Sequence, residues 1–318
     1  MKRITDKYGR TFKTLRVSLL SRCNLGCVYC SLGDESIKNN PVLEKRMHVD
    51  DLLRLIERLH SELQLETIRL TGGEPLLYAG IIPVIKGVKA IGIQEIKITT
   101  NGFLLERMAM PMKQAGMKSI NVSLDAMDED IFFFMSKRNN VQRILQGIEA
   151  AIEAGLHVKI NAVLMKGINE SQLIPLLEYA FEKKITIRFL EVMAMGHLHH
   201  HSEKYLFTQQ EILDVISARY EFSRLERSNS STSNYWQTKQ GNIFGIIANE
   251  SEPFCHDCNR LRLDSHGNIY GCLSNNHPIS LAGIDDNIQL NKKLQEALLQ
   301  KQAVRFTGSE LSMLNIGG

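Results

Sequence analysis

The six cysteines of this 318-residue chain fall into two groups of three, with none left over. The groups are Cys23, Cys27 and Cys30, spaced C-x3-C-x2-C, and Cys255, Cys258 and Cys272, spaced C-x2-C-x13-C. An odd number of thiols in each neighbourhood does not suit disulfide pairing, so metal ligation is the better interpretation. Three thiolates can hold three corners of a 4Fe–4S cubane and leave its fourth iron open, which implies chemistry at that iron.

The first triplet has two competing interpretations. It could be a zinc site completed by a distant histidine, or an electron-transfer cluster whose fourth cysteine lies elsewhere. Ferredoxin and zinc loops favour C-x2-C pairs, whereas here the first spacing is longer and Tyr29 supplies an aromatic residue before the last cysteine. The spacing therefore favours an iron–sulfur site with one open iron.

The second triplet is less specific. Taken alone, it could hold zinc with His256, His266 or His277 as the fourth ligand. Two arginines, Arg260 and Arg262, stand just after its second cysteine. The sequence around this triplet leaves both zinc and an iron–sulfur cluster open.

Further candidate site residues stand where predicted strands end. They are Gly72, Gly73 and Glu74 before Pro75, then Thr99 in the string 99–102, Ser123 in the string 121–125, and Met193. Glycines permit the backbone to approach a ligand closely. Each signal alone is weak, because paired glycines are more often a tight turn, and a serine or methionine there is usually packing.

Short β-branched runs alternate with segments of helical periodicity over the first two thirds of the chain, a pattern typical of repeated βα units. The predicted strands are Leu15–Leu19, Thr67–Leu70, Glu95–Thr99, Ser119–Leu124, His157–Leu164 and Ile185–Glu191. Six parallel units predict an α/β fold, a partial (βα)6 TIM-like barrel. Function in such barrels gathers where strands run into the following loops, so we expect the site there.

After the sixth unit the repeat stops, which predicts a barrel domain over 1–227 and a smaller C-terminal iron–sulfur region over 228–318. One helix is predicted around 208–218. The stretch 228–234, rich in Ser, Asn and Thr, is interpreted as a flexible surface loop or linker. The His-rich segment 196–201 is interpreted as a surface loop with adventitious metal affinity.

The composition is that of an ordinary globular protein, with 43% hydrophobic and 23% charged residues and a formal net charge of +3. This balance predicts neither a nucleic-acid nor a membrane partner, so an anionic ligand must be met by locally placed Arg and Lys. The amino-terminal segment lacks the apolar stretch of a signal peptide, and no stretch approaches a membrane span. A cytoplasmic location is the expectation.

The string CNLGCVYC at residues 23–30, directly after the first strand, resembles the signature of the radical S-adenosylmethionine (SAM) superfamily. The string at residues 72–75 is similar to its GGEP motif. The resemblance implies a 4Fe–4S cluster on the first triplet, with SAM chelated to the open iron. The residues expected to contact SAM are Tyr29, Gly72, Gly73, Glu74, Ser123 and Met193.

Two further features are similar to the molybdenum-cofactor biosynthesis family of GTP 3′,8-cyclases, and the similarity extends from Leu15 to the end of the chain. One is the C-x-R-x-R string that begins at Cys258; the other is the terminal Gly317-Gly318, which in that family reaches the active site. The resemblance implies a second 4Fe–4S cluster on the second triplet and GTP as substrate. It also implies an electron donor such as flavodoxin or ferredoxin, and it permits a homodimer.

The same resemblance implies which residues meet GTP, whose triphosphate calls for several Arg and Lys converging on one cavity. They are Arg16, Arg69, Thr99, Lys159, Arg260 and Arg262, with Arg188 as a further basic candidate. Arg16, Arg260 and Arg262 are also expected to be catalytic. In the implied reaction, a 5′-deoxyadenosyl radical removes a hydrogen atom from ribose C3′, and C3′ then adds to guanine C8.

The chain departs from the family's usual sequence at Thr67 and at 77–79, where basic residues are common, and also at Gly26 and at Ser31-Leu32. An alternative is a radical SAM enzyme that modifies a peptide, because such enzymes also carry extra cysteine clusters after the barrel. The departures at Thr67 and at 77–79 would fit this alternative. A third alternative is a non-catalytic iron–sulfur or zinc protein that carries electrons or binds a partner.

Overall fold

The computed structural model of the chain describes residues 4–30 and 47–316. The expectations for Ser31-Leu32 and for Gly317-Gly318 lie outside the described residues. No helix in the described ranges is long and apolar enough to cross a membrane.

All six predicted parallel strands are present, each within one residue of its predicted ends. They are β1 (Thr14–Ser18), β2 (Thr67–Thr71), β3 (Glu95–Thr100), β4 (Ser119–Ser123), β5 (His157–Leu164) and β6 (Thr186–Glu191). They pair in chain order and in parallel. The predicted α/β fold with six parallel units is confirmed.

Within the described residues, six helices connect these strands and cover one face of the sheet. They are α1 (Val49–Leu63), α2 (Ile81–Ile91), α3 (Leu105–Ala115), α4 (Glu129–Ser136), α5 (Val141–Glu153) and α6 (Leu173–Glu182). In α1, for example, the buried residues Leu52, Leu55, Ile56 and Leu59 return every three or four positions and form one stripe. This stripe belongs to the same buried core as the apolar strand residues, such as Leu15.

Polar residues alternate with these apolar ones along the strands. Successive side chains of a strand point to opposite faces, so Arg16, between buried Leu15 and Val17, must project away from the helices. We call this second face the inner face. TIM barrels usually fill it with layers of branched apolar side chains. Here it carries charged and polar side chains, which is the first sign that it holds a polar ligand.

The sheet continues beyond the six predicted strands. The remaining elements are α7 (Gln209–Ser217), β7 (Phe222–Arg224), β8 (Asn234–Thr238), β9 (Ile243–Ile247), β10 (Arg260–Leu263), β11 (Asn268–Tyr270), β12 (Ile279–Ser280), α8 (Asn287–Leu299) and α9 (Met313–Ile316). The strand order is β12-β11-β10-β1-β2-β3-β4-β5-β6-β9-β8-β7. β10 pairs in parallel with β1, and β9 pairs in parallel with β6.

Eight neighbouring strands are therefore parallel, with an antiparallel pair at each edge. Among the described residues the two outermost strands do not pair with each other, so hydrogen bonds do not close the barrel. The predicted division after residue 227 falls between β7 and β8, which pair with each other. Both sides of this division contribute strands to one sheet, and the division into two domains stays a prediction.

Candidate active site

The first triplet lies in the loop after β1, at the carboxyl edge of the parallel strands, and α4 holds this loop. The N–H of Gly26 donates to the carbonyl of Ser136 at 2.8 Å, and the N–H of Val28 donates to the carbonyl of Met135 at 2.9 Å. Carbonyls in the last turn of a helix lack partners within the helix. The unusual Gly26 therefore stands where the cysteine loop meets a helix end.

The surroundings of the first triplet raise the pKa of all three of its thiols. Burial raises the pKa of Cys23 to about 12 and that of Cys30 to about 11, and it raises the pKa of Cys27 well above its usual value. Glu74 raises the pKa of Cys23 further, as Asp125 does for Cys27. Such thiols ionise when a metal supplies positive charge, and thiolate is the form that binds iron. The donor set fits a 4Fe–4S cluster with one open iron.

The two glycines of the GGEP motif pack against the segment that leads into the first cysteine. The N–H of Gly73 donates to the carbonyl of Leu20 at 2.7 Å. A Cβ atom would lie 2.5 Å from that carbonyl oxygen at Gly72, where φ is +142°, and 2.2 Å from the carbonyl oxygen of Arg22 at Gly73. Only glycine permits this backbone contact, which joins the β2 loop to the cysteine loop.

The carboxylate of Glu74 is buried at the same edge and held from three directions. It accepts the N–H of Leu76 at 2.9 Å, the hydroxyl of Thr100 at 2.6 Å and the N–H of Asn101 at 2.7 Å. Burial nevertheless raises its pKa to about 7. A carboxylate has about four acceptor positions, so one remains for a donor such as a ligand amino group.

Tyr29 and Asp125 form a buried pair beside the first triplet. The Tyr29 hydroxyl donates to one Asp125 oxygen at 2.9 Å, and the other oxygen accepts the N–H of Val163 at 2.8 Å. Burial raises the pKa of Asp125 to about 6. Asn101 also reaches the loop, with its amide nitrogen 3.7 Å from the Cys23 Sγ. The rule that sites lie at strand ends indicated the segments that contain Asp125 and Asn101, but no role was predicted for either residue.

The two remaining residues expected to contact SAM lie at this same edge. Ser123 is the last residue of β4, and Met193 follows β6. Met193 packs against a small apolar cluster that includes Met195, Phe306 and Ile316.

The second triplet lies at the amino-terminal ends of the parallel strands, opposite the first triplet. Cys255 and Cys258 precede β10, which runs parallel to β1, and antiparallel β11 returns the chain to Cys272 at the same end. His266 lies in the turn between β10 and β11, a strand length away from Cys258, which excludes it as the fourth ligand of a zinc site. In the described ranges no three His, Cys, Asp or Glu side chains already form a group able to hold a metal ion. The fit of both triplets rests on thiol chemistry and placement.

The electrostatic surroundings of the second triplet differ from those of the first. Burial opposes ionisation of the Cys258 thiol, but Arg260 and Lys301 outweigh it and lower the pKa to about 6. Burial raises the pKa of Cys255 to about 11. The second triplet thus has basic neighbours, where the first has carboxyl groups.

The stretch 228–234, predicted as a linker, packs instead against the second triplet. Asp257 lies between two cysteines of that triplet and accepts the N–H of Ser230 at 2.7 Å. The same carboxylate receives both terminal nitrogens of Arg227, at 2.8 and 2.9 Å. Serine-rich composition indicated solvent exposure, yet Ser233 is only 1% exposed. Ser228 and Asn229 are exposed, as expected of a surface loop, while the rest of the stretch is held against the second triplet by these hydrogen bonds.

Basic residues expected to bind GTP meet on the inner face, between the two triplets. Arg16 on β1 is paired in register with Arg69 on β2 and with Arg262 on β10. Burial, together with repulsion from neighbouring arginines, lowers the pKa of Arg69 to about 9, that of Arg262 to about 10, and that of Arg16 well below its usual value. The buried Nε of Arg16 has no hydrogen-bond partner, and within the described ranges Arg16 and Arg69 form no ion pair.

The remaining basic residues border the same face. The buried Arg188 donates to the Asn161 side chain at 2.5 Å, and Lys159 Nζ lies 3.5 Å from the Tyr235 hydroxyl. Burial would raise the pKa of Tyr235, but Arg188 and Lys159 lower it overall. Gly245 makes room for this phenol, because a Cβ there would lie 2.9 Å from its ring. Tyr235 was not predicted; its signal is an aromatic residue alternating with buried neighbours on β8.

The last two expected substrate residues complete the set. Arg69 donates to the hydroxyl of Thr99 at 3.4 Å. Arg260 donates to the carbonyl of Ser230 at 2.9 Å, and its guanidinium stacks 5.3 Å above the Phe254 ring. The structure thus brings all seven expected substrate residues to the inner face or its rim. Most lie within strands rather than after them.

The His-rich segment 196–201 is more than an exposed loop. The Nε2 atom of His197 lies 2.8 Å from the carbonyl oxygen of Val28, inside the first cysteine loop. The ring of His199 packs against Gly308, where a Cβ would lie 2.4 Å from it. The segment therefore connects the first triplet with the C-terminal part of the chain, and the interpretation as a mere surface loop is corrected.

Comparison with known proteins identifies relatives over the whole chain. A family model described as the radical SAM superfamily matches residues 17–180, and one described as Molybdenum Cofactor Synthesis C matches residues 185–307. A protein of Synechocystis sp. named GTP 3′,8-cyclase is 33% identical over 318 residues, covering 100% of this chain and 95% of that protein. One of the same name from Staphylococcus aureus is 38% identical over 283 residues, covering 86% and 82%.

A solved structure supports the fold. Streptococcus suis SuiB bound to precursor peptide SuiA is similar with a TM-score of 0.67 and 16% identity, covering 91% of this chain and 67% of that one. At this identity the likeness concerns the fold alone. From the family models and the full-length relatives, the chain belongs to the radical SAM superfamily and, within it, to the family of GTP 3′,8-cyclases.

Proposed function

We propose that this chain converts GTP to 3′,8-cyclo-7,8-dihydro-GTP in molybdenum cofactor biosynthesis. The observation that carries the proposal is the basic inner face between two cysteine triplets at opposite edges of one sheet. Arg16 and Arg69 are half-buried and form no ion pair within residues 4–30 and 47–316, so they call for a polyanionic ligand. The relatives named GTP 3′,8-cyclase support the choice of that ligand.

The chain is a radical SAM enzyme, and its cofactors are SAM and two 4Fe–4S clusters. We infer that Cys23, Cys27 and Cys30 hold the first cluster, and that Cys255, Cys258 and Cys272 hold the second. Bound at the first cluster, SAM supplies a carbon radical able to remove a hydrogen atom. The residues that would orient SAM are Tyr29, Gly72, Gly73, Glu74, Ser123 and Met193.

The protein's own part is to bind GTP, orient it and exclude water. One end of GTP would be held by Arg16, Arg69, Thr99, Lys159 and Arg188. Arg260 and Arg262 lie on the side of the second triplet and would hold the other end. Fixing both ends places the ribose between them, which favours the reaction by proximity and orientation. The C3′–C8 bond would form after C3′ loses a hydrogen atom, and one electron from the electron donor proposed below, together with one proton, would complete the product. Arg16, Arg260 and Arg262 are the proposed catalytic residues.

We further propose that a small electron donor such as flavodoxin or ferredoxin reduces the enzyme in the cytoplasm, and that two copies associate as a homodimer. All six cysteines are free thiols, as a reducing compartment requires. Reduction of the reconstituted chain by purified flavodoxin, and its mass in solution by light scattering, test these two partners directly. A monomeric mass would overturn the dimer.

The proposed activity is tested by incubating the reduced, reconstituted chain with SAM under anaerobic conditions, with and without GTP. We expect 5′-deoxyadenosine and the cyclised nucleotide only when GTP is present. Equal slow formation of 5′-deoxyadenosine in both samples would contradict the proposal and would suit peptide modification instead. About eight irons per chain are expected for two clusters, whereas stoichiometric zinc would contradict the second one.

Arg260→Ala combined with Arg262→Ala should abolish GTP turnover, because both guanidinium groups face the inner face beside the second triplet. The absorption and EPR spectra of the first cluster should stay unchanged, since that cluster lies at the opposite edge. The control is Arg224→Ala, whose side chain is 49% exposed and pairs with Glu252. Normal turnover by the double variant would overturn the assignment of these two arginines.

A further inference from the structure

Lys301 is a buried lysine to which the proposed reaction gives no role. It follows α8, and its residue exposure is 5%. Its Nζ lies 3.5 Å from the Sγ of Cys258, also donates to the carbonyl oxygen of Arg260, and lies 4.8 Å from the centroid of the Phe12 ring. Both hydrogen-bond acceptors belong to the turn that carries the second triplet into β10.

A buried ammonium group is costly unless an anion compensates it. Lys301 forms no ion pair with any carboxylate in the described parts of the chain. The charged groups that act on it are the thiols of Cys258 and Cys272 and the like-charged Arg260. The anion that Lys301 faces is therefore the thiolate set of the second triplet.

We propose that Lys301 is a positioning residue that donates an N–H···S hydrogen bond to Cys258 and raises the reduction potential of the second cluster. An added electron makes a cluster more negative, so a nearby cation and donors to its sulfur ligands stabilise the reduced form. Cys23 and Cys27 have the carboxyl groups of Glu74 and Asp125 as neighbours instead. The second cluster is then the easier of the two to reduce.

The test is an EPR-monitored redox titration of the reconstituted full-length chain. Every sample carries alanine at Cys23, Cys27 and Cys30, so that the signal reports the second cluster alone. Lys301→Met keeps the length of the side chain and its packing against Phe12 while removing charge and donor. We expect its midpoint potential to be more negative than that of the parent, with Lys301→Gln in between. Lys292→Met, on the exposed side of α8, is the matched control and should titrate like the parent.

A parent-like midpoint potential in Lys301→Met with full iron content would overturn the proposal. If Lys301→Met loses the cluster, Lys301→Arg decides, because it keeps the charge and the donors. Retention of iron by Lys301→Arg alone supports the proposal, and loss from both variants contradicts it.

The inference rests on a cluster at the second triplet but not on GTP as substrate, and no nucleotide is present in the titration. Failure of GTP dependence would therefore leave the result intact. Zinc in place of iron at the second triplet would overturn the inference, and the metal count shows this separately.

Discussion

Single arginines on the inner face show how the site is built at a cost to stability. Arg69 has a pKa of about 9 in the folded chain, because burial and the nearby Arg188 and Arg260 oppose its charge. Its folded pKa lies below the ordinary value, so the charged form, which arginine keeps at neutral pH, is less stable in the folded chain than in the unfolded chain. The full cost applies at neutral pH, and at about 1.4 kcal/mol per pKa unit it is of the order of a few kcal/mol. A bound polyanion would relieve this repulsion.

We therefore predict that Arg69→Gln stabilises the ligand-free chain and weakens its response to anions. Its melting temperature should rise by roughly 2 °C or more, because the substitution removes a half-buried charge that has no ion-pair partner among the described residues. The further increase on adding GTP or tripolyphosphate should be smaller than in the parent, since one phosphate contact is lost. Differential scanning fluorimetry at pH 7.5, with and without the two anions, measures both effects.

Lys97→Gln is the matched control for this experiment. Lys97 on β3 is paired in register with Arg69, but its Nζ already lies 3.3 Å from the Glu95 carboxylate. Removing its charge relieves no unpaired repulsion, so no rise in melting temperature is expected. A lower melting temperature of ligand-free Arg69→Gln would show that its charge is already compensated.

At the scale of elements, alternation predicted the six βα strands well. β5 shows why: in His157–Leu164, residues at every second position are buried and the others are less so. Polar and apolar residues also alternate in the sequence Arg260-Leu261-Arg262-Leu263, but these residues were interpreted only as a motif. Their pairing with β1 spans most of the chain, and β11 and β12 have three and two residues. Strands this short, which pair with residues far away in the sequence, have too few residues to show a recognisable local pattern.

The expectation that the site lies at strand ends holds for one half of the site. Glu74 and Asp125 do follow strands at the carboxyl edge. The arginines lie within strands, and Cys255 and Cys258 precede a strand, because β10 adds the second triplet from the amino edge. A local sequence pattern could not reveal this second edge.

The capping box of α7 gives a prediction with a defined pH dependence. The carboxylate of Glu211 accepts the N–H of Thr208 at 2.8 Å and pairs with Lys166 at 2.5 Å. These contacts lower its pKa to about 2, with the Lys166 hydrogen bond first. The stabilisation is thus present above the ordinary pKa of 4.5 and is lost as pH falls through about 2.

Glu211→Gln should lower the free energy of unfolding at pH 7 by roughly 0.5 kcal/mol, a modest value because the side chain is 35% exposed and screened by water. The difference from the parent should shrink at pH 3.5. Urea unfolding at the two pH values measures it, with the exposed Glu226→Gln as control. An equal difference at both pH values would mean that the carboxylate charge has no part in the effect.

At the scale of the whole molecule, the C-terminal segment links the two ends of the site. Phe306 packs with Tyr270, close to the second triplet. Farther along, Ser309 pairs with the segment after β6: its N–H donates to Ala194 at 3.0 Å, and its carbonyl accepts the N–H of Gly196 at 2.9 Å. The C-terminal segment thus runs from the second triplet towards the loop of the first triplet.

The end of the described C-terminal segment contacts both the loop of the first triplet and the inner face. The hydroxyl of Ser312 donates to the carbonyl of Cys30 at 2.8 Å, and the carbonyl of Ile316 accepts from Arg262 at 3.4 Å. The Ser312 hydroxyl and a hydrogen bond from the Leu314 backbone to Cys30 therefore tie the C-terminal segment to the loop of the first triplet. The segment in turn brings the carbonyl of Ile316 to an arginine of the proposed GTP site.

Ser312→Ala should loosen this connection without removing either cluster. Loss of one hydrogen bond of about 1 kcal/mol should speed amide exchange at Gly196 and Ser309 roughly fivefold. GTP-dependent formation of 5′-deoxyadenosine should fall, while iron content stays at the parent value. Hydrogen exchange measured by mass spectrometry tests the first effect, and Ser217→Ala, whose hydroxyl bonds only within its own helix turn, is the control. Unchanged exchange at both amides would show that the remaining contacts of the segment suffice to hold it in place.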